Sequence, residues 1–311
     1  MTLAILCSGQ GQQHAGMFDL AADAPQAASL FAVAAELLGG HDPRELVRSA
    51  APDQLEVNRT AQILCVLQAV TLQAVLGASI PERRIVAGYS VGEVAAWALA
   101  GLIDGAQALR LVAARAEAMD AASHGVEALT FVRGLPRRTV DALCDTADIA
   151  ISIVNPGDAF VIGGTLAAIE TFEGQARRSG AAHVVRVKVH VASHTRRLAA
   201  ASSAFADTLH HAGICPAPAV GVRLFAGIDG SAVLDSATGV RKLSDQISQT
   251  VEWARCLESC SEAAASAFIE LGPGHALSAM AADFIPGARE RSADEFRTLA
   301  GLRSWIASVS D

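Results

Sequence analysis

Residues 83–101 read RRIVAGYSVGEVAAWALAG, and the GYSVGE within them sets the chain's only tyrosine beside a serine with glycine at minus two and plus two. Ile85, Val86 and Ala87 have the continuous apolar character of a short buried strand. Val91, Val94, Ala95 and Ala98 then recur at helical spacing until Gly101, so the stretch predicts strand, sharp turn, helix. Small glycines let the chain bend tightly there, and a serine on such a turn projects its hydroxyl outward. The start of the helix also leaves a backbone N–H free beside it, where negative charge would develop on a reacting carbonyl. The plainer alternative is a glycine-rich turn whose serine merely caps the helix. Strand before and helix after favour Ser90 as a nucleophile.

Outward from this turn the same alternation continues. Residues 3–7 predict a first buried strand, followed by the glycine-rich GQGQQ at 9–13. Helical patterns cover 26–38 and 60–76, and Asp104 caps a further helix over 105–122. Continuous apolar strands alternating with helices predict a parallel sheet covered on both faces. From about Gly125 the texture changes. LTFVRG, AISIVN, AFVIGG and HVVRVKVH predict strands, with helices near 137–146 and 165–179, giving the ferredoxin-like order strand, helix, strand, strand, helix, strand. Pro156-Gly157-Asp158 suits the turn between the middle pair. The expected class is therefore α/β, a large α/β-hydrolase-like domain with a parallel sheet (1–125 and 191–311) carrying an inserted ferredoxin-like α+β subdomain (126–190). Past the insert, a helix over 195–212, a strand near 222–226, a helix over 243–260, the strand AFIEL, the turn Gly272-Pro273-Gly274 and helices to the end are expected.

Composition excludes several function classes. Half of the 311 residues are hydrophobic, enough for a sizeable core, and no fully apolar run approaches the roughly 20 residues of a membrane span. The opening MTLAILC lacks the basic start of a signal peptide and is expected to be a strand. A net charge of −8 without a basic block argues against nucleic acid, although one or two arginines could still hold an anionic substrate. The six cysteines are scattered, and Cys256 and Cys260 have no second pair or nearby histidine to complete a zinc set. Reduced thiols, a cytoplasmic location and no metal are expected.

A serine nucleophile needs a base. Among nine histidines, His194 closes VKVHVASH where the insert returns to the main domain, so it can point into an interdomain cleft. His190 is its rival, while His210 and His211 suit a helix surface. Gln10 lies on the turn after the first strand, at the sheet edge where ligands usually bind, and its amide can serve as an oxyanion donor. GQGQQ lacks the lysine of a phosphate loop. At about 100° per residue, Arg115 lies about 60° from Val112, on the flank of the apolar face of its helix. An arginine turned inward needs an anionic partner. That partner is either a structural carboxylate or a bound substrate carboxylate.

GQGQQ, GYSVGE, Arg115, VASH and ELGPG, in this order and spacing, resemble the malonyl-CoA:acyl-carrier-protein transacylases over nearly the whole chain. The resemblance implies Ser90 as nucleophile, His194 as base, and an oxyanion hole from Gln10 and the backbone N–H of Val91. It implies that Arg115 holds the malonyl carboxylate as a bidentate pair. It places Gln246 where main-chain carbonyls orient the histidine, Asn155 on a loop near the acyl group, and Gln62 at the start of a helix beside the site. Malonyl-CoA is the implied substrate and a carrier-protein thiol, phosphopantetheine or CoA-derived, the acceptor, with no permanent cofactor. Two features depart from the usual pattern. Tyr89 stands where the family motif has histidine, and residues 292–308, SADEFRTLAGLRSWIAS, are expected to run past the usual end of the fatty-acid enzymes. Both resemble the malonyl transferase (epsilon) subunit of bacterial malonate decarboxylase, whose carrier bears a longer, nucleotide-ended prosthetic group. The rival from another class is an α/β-hydrolase esterase pairing Ser90 with His275. It fits poorly, since its elbow follows several strands and an HGGG-type loop. A catalytically silent docking module is a further alternative, opposed by the intact Ser-His-Arg set.

Overall fold

The computed structural model describes residues 2–145 and 149–310. Strands β1 (Thr2–Cys7), β2 (Arg84–Gly88), β7 (Val222–Phe225), β8 (Ala265–Leu271) and β9 (Arg289–Ser292) form one parallel sheet in the order β7-β2-β1-β8-β9. Strands β3 (Glu127–Arg133), β4 (Ile149–Asn155), β5 (Ala159–Thr165) and β6 (His183–Val187) form a separate antiparallel sheet in the order β4-β5-β3-β6. With helices Arg137–Cys144 and Leu166–Arg178 this second unit has the ferredoxin-like order. The α/β class expected from the sequence is the class observed. The expected end of the first of these helices, at Thr146, lies outside the described residues.

Alternation along β3 and its neighbours divides the small sheet into two faces. Ala128, Val132, Phe160 and Ile162 pack on Ile169 and Phe172 of its own helices. Leu129, Phe131, Ile153 and Val161 look toward the large domain instead. The two crossings of the chain are clasped by the carboxylate of Glu127, which accepts hydrogen bonds from Ser123 Oγ (2.7 Å), Ala192 N–H (2.9 Å) and Arg197 Nε (2.8 Å). Main-chain pairing adds a second seam: Val154 N–H donates to Val251 O and Val251 N–H to Ser152 O.

Several elements depart from expectation. The continuous helix expected over 243–260 is two helices, Ser236–Asp245 and Trp253–Glu262, because Val251 is drawn out to bridge Ile153 of the small sheet. The strand expected over 183–190 ends at Val187, leaving His190 exposed on the loop that leads to His194. Two short helices, Pro43–Ser49 and Pro52–Glu56, and the charged edge strand β9 had no clear apolar period to announce them. The helix Asn58–Leu76 is long and apolar enough to cross a membrane, but it runs through the core and buries Gln62, Gln68 and Thr71 along with its aliphatic residues. Its polar interruptions are why no single apolar run stands out in the sequence. All six cysteines are unpaired.

Candidate active site

The glycines around Ser90 are required by space. A Cβ at Gly88 would lie 2.3 Å from the backbone of Glu93, and one at Gly92 would lie 2.2 Å from Cys7 O. Only glycine lets β2 turn this tightly into the helix Gly92–Leu99 and lets that helix approach the end of β1. Ser90 itself sits at φ 54° and His194 at φ 61°, two of the four non-glycine residues with left-handed backbone among the described residues. Such backbone costs on the order of 1–3 kcal/mol and persists where surrounding contacts over-determine it.

Those two residues meet. Ser90 Oγ lies 2.7 Å from His194 Nε2. His194 is 1% exposed, its backbone N–H donates to Ile247 O (2.8 Å), and its Nδ1 lies 2.5 Å from Gln246 O. A carbonyl can only accept, so Nδ1 carries the proton and the Nε2 lone pair faces the serine hydroxyl. Burial, then the Arg115 charge, push the His194 pKa down to about 3 against the pull of the Gln246 carbonyl. The imidazole is therefore a neutral base at neutral pH. The break between the two helices of residues 236–262 is what delivers the Gln246 carbonyl to His194.

The cleft above this pair encloses about 200 Å³. Gln10, Tyr89, Ser90, Asn155 and His194 all line it, and Leu129, Phe131, Ile153 and Val161 of the small sheet make one wall apolar. The Val91 N–H has no acceptor among the described residues. The Tyr89 ring packs edge-on against Trp253 at 5.4 Å, and burial pushes its phenol up to about 12 against the pull of the Asn155 side chain. Asn155 is buried beside it.

Arg115, Gln62 and Gln246 do not line the cleft. They form a buried layer beneath it, each no more than 1% exposed. Arg115 Nη1 donates to Gln62 Oε1 (2.6 Å) and Nη2 to Gln246 Oε1 (3.3 Å), while its Nε has no partner. None of these acceptors is a carboxylate, so the structural carboxylate left open by the helical phase is not bonded to Arg115 among the described residues. Burial pulls the guanidinium down to about 10, against the opposing charge of the Glu93 carboxyl across Gln246.

Two carboxylates at the site were not singled out from the sequence. Glu270, in ELGPG, accepts from Ser8 Oγ (2.7 Å) and from the N–H groups of Leu277 and Ser278 (2.9 Å each), capping the helix Ala276–Phe284 at the cleft edge. Glu93, in GYSVGE, is 1% exposed. Its Oε2 accepts from Gly227 N–H (2.9 Å) and from Gln246 Nε2, and burial pushes its carboxyl up to about 7. The available signal was an acid in the otherwise apolar run VGEVAAWALA, since a helix apolar all round is buried and must satisfy its charge. His275, the esterase alternative, is exposed at a helix start, and His194 occupies the place beside Ser90.

The chain matches a family model described as an acyl transferase domain over residues 5–303. It is 30% identical over 300 residues to a malonyl CoA-acyl carrier protein transacylase of Mycobacterium tuberculosis, covering 93% of this chain and 95% of that one. It is 27% identical over 286 residues to a protein of the same name from Haemophilus influenzae, covering 89% and 90%. The crystal structure of an acyl-carrier-protein S-malonyltransferase from Burkholderia pseudomallei superposes with a TM-score of 0.89 at 28% identity, over 99% of this chain and 100% of that one. The last match corrects an expectation: residues 292–308 fall within the shared fold and are no addition to it.

Proposed function

Because this chain belongs to the acyl transferase family, as a malonyl-CoA:acyl-carrier-protein transacylase, we propose that it moves malonyl from CoA to a carrier thiol through an ester on Ser90. The observation that carries this is the 2.7 Å contact of Ser90 Oγ with an Nε2 whose opposite ring nitrogen is fixed by a main-chain carbonyl. In acylation Ser90 Oγ attacks the thioester carbonyl while His194 Nε2 takes its proton. The tetrahedral oxyanion is received by the Val91 N–H and Gln10. His194 then protonates the departing CoA sulfur. The carrier thiol enters the same cleft, gives its proton to His194 and attacks the ester, and the proton returns to Ser90. The apolar wall of the small sheet suits the thiol-bearing arm of either substrate.

Arg115 is assigned the malonyl carboxylate. Its guanidinium donates only to amide and thioether acceptors and leaves Nε unpaired, and the nearest carboxyl, Glu93, reaches it only through Gln246, so an incoming carboxylate can take the free edge. Gln62 and Gln246 hold the guanidinium in place for that contact. Tyr89 and Asn155 face the acyl portion from the cleft. For the acceptor, Tyr89 favours the carrier of malonate decarboxylase, and the end of the chain no longer adds to that choice.

Incubation with malonyl-CoA should add one malonyl mass to the intact protein, and Ser90→Ala should remain unmodified. A malonyl adduct that persists in Ser90→Ala would overturn the assignment.

A further inference from the structure

Ser-His pairs in other folds are completed by a carboxylate touching the histidine Nδ1. Here a carbonyl oxygen, that of Gln246, holds that position. The Gln246 side chain continues inward. Its Nε2 donates to Glu93 Oε2 and lies 3.3 Å from Ser90 O, and its Oε1 accepts from Arg115 Nη2. Guanidinium on one side and carboxyl on the other thus fix which end of the amide points where, and so fix the residue whose carbonyl orients His194.

The carboxylate is placed with care. Glu93 is one helical turn past Ser90, and its N–H donates to Ser90 O (3.0 Å). Its Oε2 reaches the backbone N–H of Gly227, where a Cβ would stand 2.7 Å from that oxygen and 3.1 Å from Gln246 Nε2. Gly227 therefore leaves the room in which carboxylate and amide meet. We propose that Glu93 is the displaced acid of this catalytic set, a positioning residue that acts on His194 through Gln246. The inference rests on the Ser90–His194 reading.

The test compares wild type, Glu93→Gln and Gly227→Ala in single-turnover acylation of Ser90 by malonyl-CoA, followed by intact mass. Glu93→Gln removes the ionisable carboxyl and keeps the shape. Gly227→Ala keeps the carboxyl and displaces it, and it serves alone if Glu93→Gln does not fold. The maximal acylation rate should fall about ten-fold or more in each, with half-saturating malonyl-CoA within about three-fold of wild type. The imidazole ¹⁵N signals of His194 should shift away from the Nδ1–H tautomer in both. Acylation within about two-fold of wild type in a folded variant, or a rise in half-saturation at unchanged maximal rate, would overturn the proposal. A wild-type protein that forms no ester on Ser90 would instead overturn the acyl-transfer reading beneath it.

Discussion

His194 is held neutral by burial and by the Arg115 charge, and the sign of that effect can be measured. Its folded pKa, about 3, lies below the ordinary 6.5. Between those values the unfolded chain binds a proton that the native protein refuses, so stability falls as pH drops through that window. At pH 5 the loss from this one residue amounts to about 2 kcal/mol relative to pH 8. Denaturant unfolding of wild type and His194→Ala at pH 8 and pH 5 should therefore show the wild type losing about 2 kcal/mol more than the variant. Parallel losses would mean that the imidazole is protonated as readily in the fold as outside it. The same neutrality bears on catalysis, because a base that stays unprotonated keeps its lone pair for Ser90 well below pH 6.5.

The last helix, Leu299–Ser310, turns Leu302, Ile306 and Val309 into the main core, where it packs beside β1. Ile306→Ala should cost about 2–5 kcal/mol in denaturant unfolding. A cost under about 0.5 kcal/mol would show that this end of the chain is dispensable to the core. At this scale the sequence was uneven in what it disclosed. The helix Gly105–Ala122 was legible to the residue, because Asp104 caps it and its apolar face repeats cleanly. The small sheet was legible because β3, β4 and β5 alternate or run apolar between clear turns. The break at 246–252 was not, since it contains neither proline nor glycine and is imposed by Val251 pairing with a strand about a hundred residues away. β9, reading RERS, is an edge strand with almost nothing to bury. Among the candidate site residues, the depth of Arg115 followed from its helical phase. Its amide neighbours and the place of Glu93 depend on distant segments that no local pattern relates.

The cleft lies between the two sheets, and a second groove bordered by Arg133, Pro156 and Phe284 adjoins it, with Phe131, Asn155 and Met280 common to both. On the proposed mechanism, a carrier thiol reaching Ser90 would enter between the two units. Offered the holo-carriers of malonate decarboxylase and of fatty-acid synthesis at equal concentration, the protein should load the former faster. Preference for the fatty-acid carrier would remove that acceptor and leave malonyl transfer intact. The strand order carries a consequence of its own. β1 lies at the centre of its sheet, yet one of its two partners, β8, is among the last strands in the chain. The helix Asn58–Leu76 packs on Gly92–Leu99 and Gly105–Ala122, both of which follow it. A ribosome adding roughly 5–20 residues per second releases that apolar helix before its cover, and β1 waits roughly 10–50 s for β8. Over that interval the nascent chain exposes apolar surface that the finished fold buries. Ser90 likewise emerges before His194, and His194 before Gln246, so an unfinished chain presents a serine with no base to activate it.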